Sequence, residues 1–312
     1  MVKQETDSID QEHVMKTPDN TLSASEFTYR ELLAYGKHNL SGEYKSDAGL
    51  LLCIAADFDK GTLYRRLNDR VPNEVSERFC SYLKRRGLGE PVQYIAGSWP
   101  FMGLDFFVDQ HVLIPRADTE CLVEAVICAA KERFPEKLAA GALRILDLCT
   151  GSGCIAVSLA HYLPTAQITA IDISAEALSV AERNAKALGV DCRITFIRGN
   201  LLAPEHAPDH SPFDILCMNP PYIPSDEIHT LMADVREFEP VIALDGGADG
   251  LDFYQKIATD LQVYTHTESC LVMEVGAGQS NAVTKLFIQQ GCRTVSTLKD
   301  LSGIERVVFV LR

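Results

Sequence analysis

The sequence predicts an α/β protein with a Rossmann-like, mainly parallel seven-stranded sheet, preceded by a small helical bundle. From residue 118 to the C-terminus, short apolar runs alternate with amphipathic segments, which is typical of a parallel sheet with helices on both faces. Residues 23–88 instead have helical periodicity and lack strand-like alternation. The length of 312 residues accommodates one domain of ordinary size and a smaller one.

The N-terminal region is expected to hold a tail and then the helical bundle. Residues 1–22 contain acids and lack the apolar run of a signal peptide, so we expect a disordered tail. Residues 23–90 are expected to form the bundle, in which Ser25 caps a first helix that includes Phe27.

A linker is expected at residues 91–117, where Pro and Gly recur. Within it, the apolar residues 106–108 and 112–114 flank Asp109-Gln110-His111. This arrangement predicts a β-hairpin with its turn at residues 109–111.

Residues 118–312 are expected to form the α/β domain. The strands are predicted at residues 143–149, 167–173, 194–197, 213–218, 270–275, 294–297 and 307–311. The helices are predicted at residues 119–134, 155–163, 174–188, 253–264 and 282–290. Ser174 is a good N-cap, and Gly189 ends the helix that follows it.

The composition limits the classes of function. A hydrophobic content of 46% with 23% charged residues is typical of a soluble globular protein. The net charge of -14 disfavours binding to DNA through its phosphates, although Lys84-Arg85-Arg86 is a local basic patch. The ten cysteines form no Cys-x-x-Cys pair, as expected of a reduced, cytoplasmic protein. No apolar run approaches the roughly 18 residues of a membrane span.

The most informative feature is the corner Asn219-Pro220-Pro221-Tyr222, which directly follows the apolar strand at residues 213–218. Each proline fixes its own φ and extends the residue before it, so the strand ends in a stiff turn. The carboxyl end of such a strand is where α/β folds bind ligands. An amide and an aromatic ring held there suit the recognition of a flat, uncharged nitrogen.

A glycine loop is predicted after the first strand of the sheet, at Cys149-Thr150-Gly151-Ser152-Gly153. Its glycines let a ligand approach the backbone at a helix start, and Asp172 follows at the spacing of a ribose-binding acid. The loop also fits the dinucleotide fingerprint, because Ala156 stands at its last position. The loop alone therefore leaves both a nicotinamide cofactor and S-adenosylmethionine open.

Two details favour S-adenosylmethionine. Asp147 lies just before the glycines, where a carboxylate can meet the methionyl amine. The Asn219 corner contains no general acid or base for hydride chemistry. It suits methyl transfer to an amide: the Asn219 side-chain oxygen and the Pro220 carbonyl accept the two N–H groups, and Tyr222 covers the planar group. This chemistry requires no strong base and no metal.

At this point the chain resembles the release factor glutamine methyltransferases, the HemK/PrmC family, from about residue 26 to the C-terminus. Beside the Asn219 corner, the resemblance is carried by residues 89–97 (GEPVQYIAG), 112–120 (VLIPRADTE), 239–250 (EPVIALDGGADG), 274–279 (EVGAGQ) and 300–303 (DLSG).

The resemblance implies a class I S-adenosylmethionine-dependent methyltransferase fold. It also implies N5-methylation of the glutamine in the Gly-Gly-Gln tripeptide of class-1 peptide chain release factors, without DNA or membrane partners. The N-terminal helical domain is implied to dock the release factor. The implied catalytic and substrate-binding residues are Asn219, Pro220, Pro221 and Tyr222, and the implied cofactor-binding residues are Phe101, Asp147, Cys149, Thr150, Gly151, Ser152, Gly153, Asp172, Asn200, Leu201 and Asn219.

The chain departs from the family pattern at three positions. Family members usually have Pro where Ala117 stands, Gly where Cys149 stands, and an acid where Asn200 stands near the adenine.

Other functions stay open at this level. A ribosomal-protein glutamine methyltransferase would use the same amide chemistry. A DNA adenine N6-methyltransferase would use the same corner but needs a basic groove for a flipped base. A catalytically silent adaptor would bind only through its helical domain. The long segment 223–250 is expected to act as a lid.

Overall fold

The computed structural model describes residues 27–200 and 212–312. These residues form two compact units, with the division between Leu83 and Lys84. None of the helices in this part of the chain has the length and apolar character of a membrane-spanning segment. The expected tail at residues 1–22 lies outside the described residues.

The first unit is helical. Its helices are α1 (Tyr29–Asn39), α2 (Ala48–Ala56), α3 (Lys60–Arg65) and α4 (Asn73–Gly87), and the division between the units falls inside α4. Buried Leu32, Leu51, Leu52 and Phe79 contribute its core.

The start predicted for the first helix was wrong. Ser25 lies outside the described residues, and Phe27 precedes α1 instead of belonging to it. Thr28 is the N-cap because it forms a capping box with Glu31: each side chain accepts a hydrogen bond from the other residue's backbone N–H. Two free N–H groups at the start of the helix are thereby satisfied.

The second unit begins with the end of α4, α5 (Val92–Ala96) and a β-hairpin. The hairpin pairs β1 (Ser98–Phe101) with β2 (Leu104–Phe107), so the predicted position was wrong. Met102 and Gly103 form its two-residue turn, and both have positive φ, at 51° and 71°. Two consecutive residues of positive φ suit the twist of a hairpin, whereas residues 109–111 form a turn that leads into irregular chain.

The main sheet has seven strands in the order β5-β4-β3-β6-β7-β9-β8. The strands are β3 (Arg144–Leu148), β4 (Gln167–Asp172), β5 (Ile194–Arg198), β6 (Phe213–Met218), β7 (Thr265–Glu274), β8 (Thr294–Lys299) and β9 (Glu305–Leu311). The first five in spatial order pair in parallel, and β9 is antiparallel to both β7 and β8. The predicted fold class is confirmed.

Helices cover both faces of this sheet. Those with residues in the cores on the two faces are α6 (Glu120–Arg133), α7 (Pro135–Ala139), α8 (Cys154–Tyr162), α9 (Ala175–Ala187), α11 (Asp252–Tyr264) and α12 (Ser280–Gln289). The short α10 (Ala233–Phe238) lies in the segment 223–250. Alternate strand residues point to opposite faces. Ile145 and Ile215 therefore share a core with α6 and α8, while Leu146 and Leu216 pack with α11 and α12.

The strand order places a topological switch beside β3. The chain runs from β3 through β4 to β5 on one side, then crosses back so that β6 pairs with the other side of β3. Crevices at the carboxyl ends of strands next to such a switch bind ligands in open α/β sheets. The glycine loop and the Asn219 corner follow β3 and β6, so both lie at this edge.

Candidate active site

A cleft of about 1030 Å³, including its open mouth, lies at the carboxyl edge of the sheet. Among the predicted site residues, its lining includes Cys149, Thr150, Gly151, Ser152, Asp172, Asn200, Asn219 and Pro221. Further lining residues lie in the ranges 111–119 and 240–253, including His111 and Ile242, and next to the predicted residues in the ranges 148–155, 171–177 and 199–200. Residues that are separated by up to 142 positions in the sequence thus meet in one cavity.

Several predicted residues lie elsewhere. Asp147, Gly153, Pro220 and Tyr222 are placed beside the cleft and are not among its described lining residues. Phe101 is buried in the core and packs edge-on against Phe106, with ring centroids 5.9 Å apart. Leu201 falls outside the described residues. The roles predicted for these residues have no support from the cavity itself.

The glycine loop has the backbone conformation that its sequence suggests. Gly151 and Gly153 have φ values of 54° and 79°, in the left-handed region. A Cβ at Gly153 would also lie 2.9 Å from the Cβ of Ala181. Cys149 has a φ of 60°, so a cysteine occupies a conformation that glycine adopts without strain. This positive φ gives a physical reason why proteins of the family that the chain resembles usually have glycine where Cys149 stands.

Asp147 holds the glycine loop through hydrogen bonds of its buried side chain. Its side chain is fully buried, and Oδ2 accepts hydrogen bonds from Thr150 Oγ1 at 2.6 Å and from the Ala156 backbone N–H at 3.2 Å. Burial raises the pKa of Asp147 to about 7, and these two hydrogen bonds oppose that rise. The structure therefore gives this carboxyl a role in holding the loop onto the start of α8.

Asp172 joins the loop to the end of β4. Its Oδ2 accepts the Gly151 N–H at 2.8 Å, and its Oδ1 accepts the Ser174 N–H at 2.9 Å. Burial raises the pKa of Asp172, while the backbone hydrogen bonds lower it. Each carboxylate oxygen can accept a further hydrogen bond, so this residue can bind hydroxyl groups in the cleft while it fixes the loop.

The Asn219 amide stands half-buried on the cleft wall directly after β6. Its Nδ2 donates to Thr119 Oγ1 at 3.1 Å, which leaves its Oδ1 as the acceptor of the side chain. Thr119 also lines the cleft and is buried. An acceptor oxygen at a stiff corner can receive one N–H of a planar amine or amide.

Tyr222 is directed into the protein. Its hydroxyl donates to Glu274 Oε1 at 3.4 Å, and its backbone carbonyl accepts from Gln279 Nε2 at 2.8 Å. Two glycines allow close packing on it: a Cβ at Gly246 would lie 2.7 Å from the Tyr222 Cα, and one at Gly250 would lie 2.3 Å from its carbonyl oxygen. Tyr222 thus anchors the corner, and its predicted stacking on the substrate stays a prediction.

Three ion pairs hold the chain segments around the corner. The Arg116 guanidinium bonds the buried Glu239 carboxylate, which also accepts the Ile114 N–H at 3.3 Å. Arg306 pairs with Asp118 and Asp300, both at 3.3 Å. These contacts connect the segments 112–120, 239–250 and 300–303, which carry the resemblance.

Sequence reasoning gave no individual role to Thr119, Glu239, Glu274 or Gln279. Their only individual signal was that they belong to the segments 112–120, 239–250 and 274–279, which carry the resemblance. Each acts through a contact with a residue distant in sequence, such as the pair formed by Thr119 and Asn219 across 100 positions.

The segment 223–250 covers one side of the cleft. Its two ends are tied together, because the Ile223 N–H donates to the Leu244 carbonyl at 3.0 Å and the Gly246 N–H donates to the Ile223 carbonyl at 2.9 Å. Pro240, Ile242 and Ala243 line the cavity. The lid role predicted for this segment remains a proposal.

Comparisons with known proteins identify relatives of this chain. Residues 31–97 match the model of the PrmC N-terminal domain, and residues 145–238 match a methyltransferase domain. The release factor glutamine methyltransferase of Geobacter sulfurreducens is 38% identical over 286 residues, covering 90% of this chain and 96% of that protein. That of Moorella thermoacetica is 41% identical over 267 residues, covering 85% and 90%.

Solved structures are also similar to this chain. The hMettl16 catalytic domain superposes with a TM-score of 0.52 at 16% identity, over 76% of this chain and 80% of that one, a similarity of fold. A release factor-specific protein-(glutamine-N5) methyltransferase from Alicyclobacillus acidocaldarius is 32% identical, with a TM-score of 0.38 over 63% of this chain and 93% of that one.

Proposed function

The chain belongs to the release factor glutamine methyltransferase family, and we propose that it methylates N5 of the glutamine in the Gly-Gly-Gln tripeptide of class-1 peptide chain release factors. The observation that carries the proposal is the Asn219 amide on the cleft wall. The Asn219 side-chain nitrogen donates a hydrogen bond to Thr119 Oγ1. The side-chain oxygen is therefore the atom that can accept an N–H from a methyl acceptor in the cleft. The comparisons favour a release factor over a ribosomal protein or DNA as the acceptor.

The cleft fits S-adenosylmethionine as the methyl donor. The left-handed glycine loop ends at the start of α8, so backbone N–H groups are available to a ligand there. Asp172 would hold the ribose hydroxyls of this cofactor, and Asn200 would lie near its adenine. Residues 149–152 would enclose the remainder of the cofactor. When bound, S-adenosylmethionine supplies an electrophilic methyl group on a positively charged sulfur.

The residues of the corner orient the acceptor. An amide nitrogen is a weak nucleophile because its lone pair is delocalised into the carbonyl. Asn219 Oδ1 accepts one N–H and the Pro220 carbonyl accepts the other, which directs the lone pair toward the methyl group. Orientation of this kind supplies about 7–11 kcal/mol in favourable cases. The same two acceptors would stabilise the positive charge that develops on the nitrogen as the C–N bond forms and the methyl C–S bond breaks, which leaves a neutral thioether. The methylated nitrogen would then release one proton to water.

The rest of the chain serves delivery of the acceptor. The helical domain at residues 23–90 docks the release factor, residues 91–117 link it to the catalytic domain at residues 118–312, and the segment 223–250 closes over the bound tripeptide. The reaction takes place in the cytoplasm, without a DNA or membrane partner.

The proposal is tested by methyl transfer from labelled S-adenosylmethionine to purified release factor, ribosomal protein and duplex DNA. Label is expected in the release factor, and a release factor with the Gly-Gly-Gln glutamine replaced is expected to take none. We expect Asn219→Ala to reduce transfer roughly 100-fold or more, as for loss of a positioned polar group, with cofactor affinity changed a few-fold at most. Asn281→Ala, which removes an exposed amide from α12, is the matched control. Label in DNA alone would refute the proposed function.

A further inference from the structure

Gln279 is the N-cap residue of α12, in the loop that follows β7. Its backbone N–H donates to the Gly276 carbonyl at 3.0 Å, and its own carbonyl accepts the Val283 N–H at 3.0 Å. Its side chain makes no capping hydrogen bond to the helix in the described part of the chain. The side chain therefore extends from a backbone that is fixed on both sides, and it is directed to other partners.

The side-chain amide of Gln279 joins three segments at the carboxyl edge of the sheet. Its Oε1 accepts the Gly276 backbone N–H at 2.9 Å, and its Nε2 donates to the Tyr222 backbone carbonyl at 2.8 Å. Nε2 also makes a longer hydrogen bond, at 3.4 Å, to the Gly250 carbonyl. One side chain thus connects the loop after β7, the last residue of the Asn219 corner and the end of the segment 223–250.

These partners require an amide at position 279. A backbone N–H can only donate and a backbone carbonyl can only accept, so a side chain that bridges the two must offer both an acceptor and a donor. The amide of glutamine has an acceptor oxygen and a donor nitrogen on the same carbon. A glutamate of the same size would place a second acceptor against the Tyr222 and Gly250 carbonyl oxygens.

Two glycines leave space for this amide. A Cβ at Gly250 would lie 2.6 Å from Gln279 Nε2, and a Cβ at Gly276 would lie 2.8 Å from Gln279 Oε1. Both distances are shorter than van der Waals contact, so a larger residue at either position would displace the amide. The packing around Gln279 therefore serves the hydrogen bonds that its side chain makes.

The Asn219 corner is held at both of its ends. Its first end continues β6, and the Asn219 side chain donates to Thr119 Oγ1. Pro220 and Pro221 have no backbone N–H with which to fix the turn, and each has its φ restricted by its ring. The Tyr222 carbonyl, which accepts from Gln279, is a backbone anchor directly after the two prolines. Because the turn between the two ends is stiff, the place of this carbonyl limits where the Pro220 carbonyl can point.

We propose that Gln279 is a positioning residue, which sets the placement of the Asn219 and Pro220 acceptors through the Tyr222 carbonyl. The inference rests on the role proposed for these two acceptors. It is independent of which methyl acceptor is used, because glutamine and adenine both present the two N–H groups of a planar NH₂. Without the Nε2 donor, the far end of the corner is released, and the two acceptors lose their fixed direction. The loss falls on the chemical step, where orientation of the nitrogen matters most.

The test compares Gln279→Glu and Gln279→Met with the wild type. Both changes keep a side chain of similar length and remove the Nε2 donor. Gln289→Glu, the same change at an exposed position of α12, is the matched control. Turnover, KM for the acceptor, cofactor affinity and bound cofactor per chain are measured separately, so that unfolded protein is not counted as slow enzyme.

Both variants at position 279 are expected to lower kcat per bound cofactor about 10-fold to 100-fold, because a displacement on the order of 1 Å is sufficient for such a loss. Cofactor affinity, and all four quantities of the control, are expected to match the wild type. A role in stability alone would lower bound cofactor and leave kcat per bound cofactor unchanged. Wild-type kcat per bound cofactor in either variant at position 279 would overturn the proposal.

A double-mutant cycle tests whether Gln279 acts through the corner. In an Asn219→Ala background, Gln279→Met is expected to cause a clearly smaller further loss of kcat, because groups that act as a unit give non-additive losses. An equal loss in both backgrounds would overturn the proposal. All rates are measured with whichever acceptor the wild-type chain methylates. Labelling of a different acceptor thus refutes the proposed function alone, and equal losses refute the positioning role alone.

Discussion

Removal of the Glu274 carboxylate is expected to change how stability depends on pH. Burial raises the pKa of Glu274 from its ordinary value of 4.5 to about 7, and Asp118 adds to this rise while Thr119, Arg306 and Tyr222 oppose it. The folded protein therefore binds the proton more tightly than the unfolded chain. The stability that this proton contributes is complete below about pH 4.5 and is lost as the pH rises to about 7. Proton linkage gives a loss of about 2.5 kcal/mol between about pH 5 and pH 8 from this group.

Urea denaturation of the wild type and Glu274→Gln at these two pH values measures the effect. The chain has one tryptophan, Trp99, which lies in the second unit, so its fluorescence reports unfolding of the unit that holds Glu274. The free energy of unfolding of Glu274→Gln should fall less than that of the wild type, by about 2.5 kcal/mol. Glu268→Gln, at an exposed position of the same strand, is the matched control and should follow the wild type. Identical pH dependence in the wild type and Glu274→Gln would refute the reasoning.

Three further predictions concern the glycine loop and Asp172, whose side chain accepts the Gly151 N–H. Gly153→Ala is expected to destabilise the protein by about 1–3 kcal/mol in urea denaturation, because the φ of 79° and the 2.9 Å approach to Ala181 both exclude a Cβ; an unchanged midpoint would contradict this. Cys149→Gly is expected to be more stable than Cys149→Ala by about 1 kcal/mol, since both remove the thiol but only glycine relieves the strain at φ 60°; the reverse order would show that the loop is unstrained. Asp172→Asn is expected to weaken cofactor binding roughly 10-fold in equilibrium dialysis, because a charge-assisted acceptor of hydroxyls and of the Gly151 N–H is replaced by a neutral amide; unchanged affinity would remove Asp172 from the cofactor site.

The sheet could be predicted from sequence because its signal is local. The strand at residues 213–218 was predicted with the bounds that the structure has, and all six of its side chains are buried. A short, mainly apolar run has one favourable place in an α/β fold, the middle of the sheet, and the one charged residue, Asp214, is paired with Lys137. Ser174 likewise caps α9 as predicted, with its hydroxyl accepting the Ala177 N–H.

The hairpin was misplaced because apolar runs are not sufficient to define strands. Val108, Val112 and Ile114 are buried, yet they pack against α9 in irregular conformation. The Asp109 carbonyl and side chain form a local turn that resembles a hairpin turn. The decisive signal was Met102-Gly103, where glycine makes a left-handed pair accessible.

The support of the site could not be predicted for a different reason. The interactions of Asn219 with Thr119 and of Tyr222 with Glu274 join positions 100 and 52 residues apart. Single-sequence patterns contain no information about such pairs until the strand order is known. The glycine loop and the Asn219 corner follow from local patterns, whereas the residues that contact and support them follow only from the tertiary structure.

Because the two ends of the segment 223–250 are hydrogen-bonded to each other, its middle part can tolerate insertions. Its ends are joined by the hydrogen bonds between Ile223 and Gly246, and Gly246 and Gly250 pack against the backbone of Tyr222. Because closure occurs at the base, lengthening the tip adds only a small entropy penalty, about 0.6 kcal/mol for each doubling of the loop. This applies to the tip at residues 226–233, since Asp234 pairs with Arg86 and Phe238 packs against a buried apolar cluster. The tip can be lengthened at small cost, while the Asn219 corner keeps its shape.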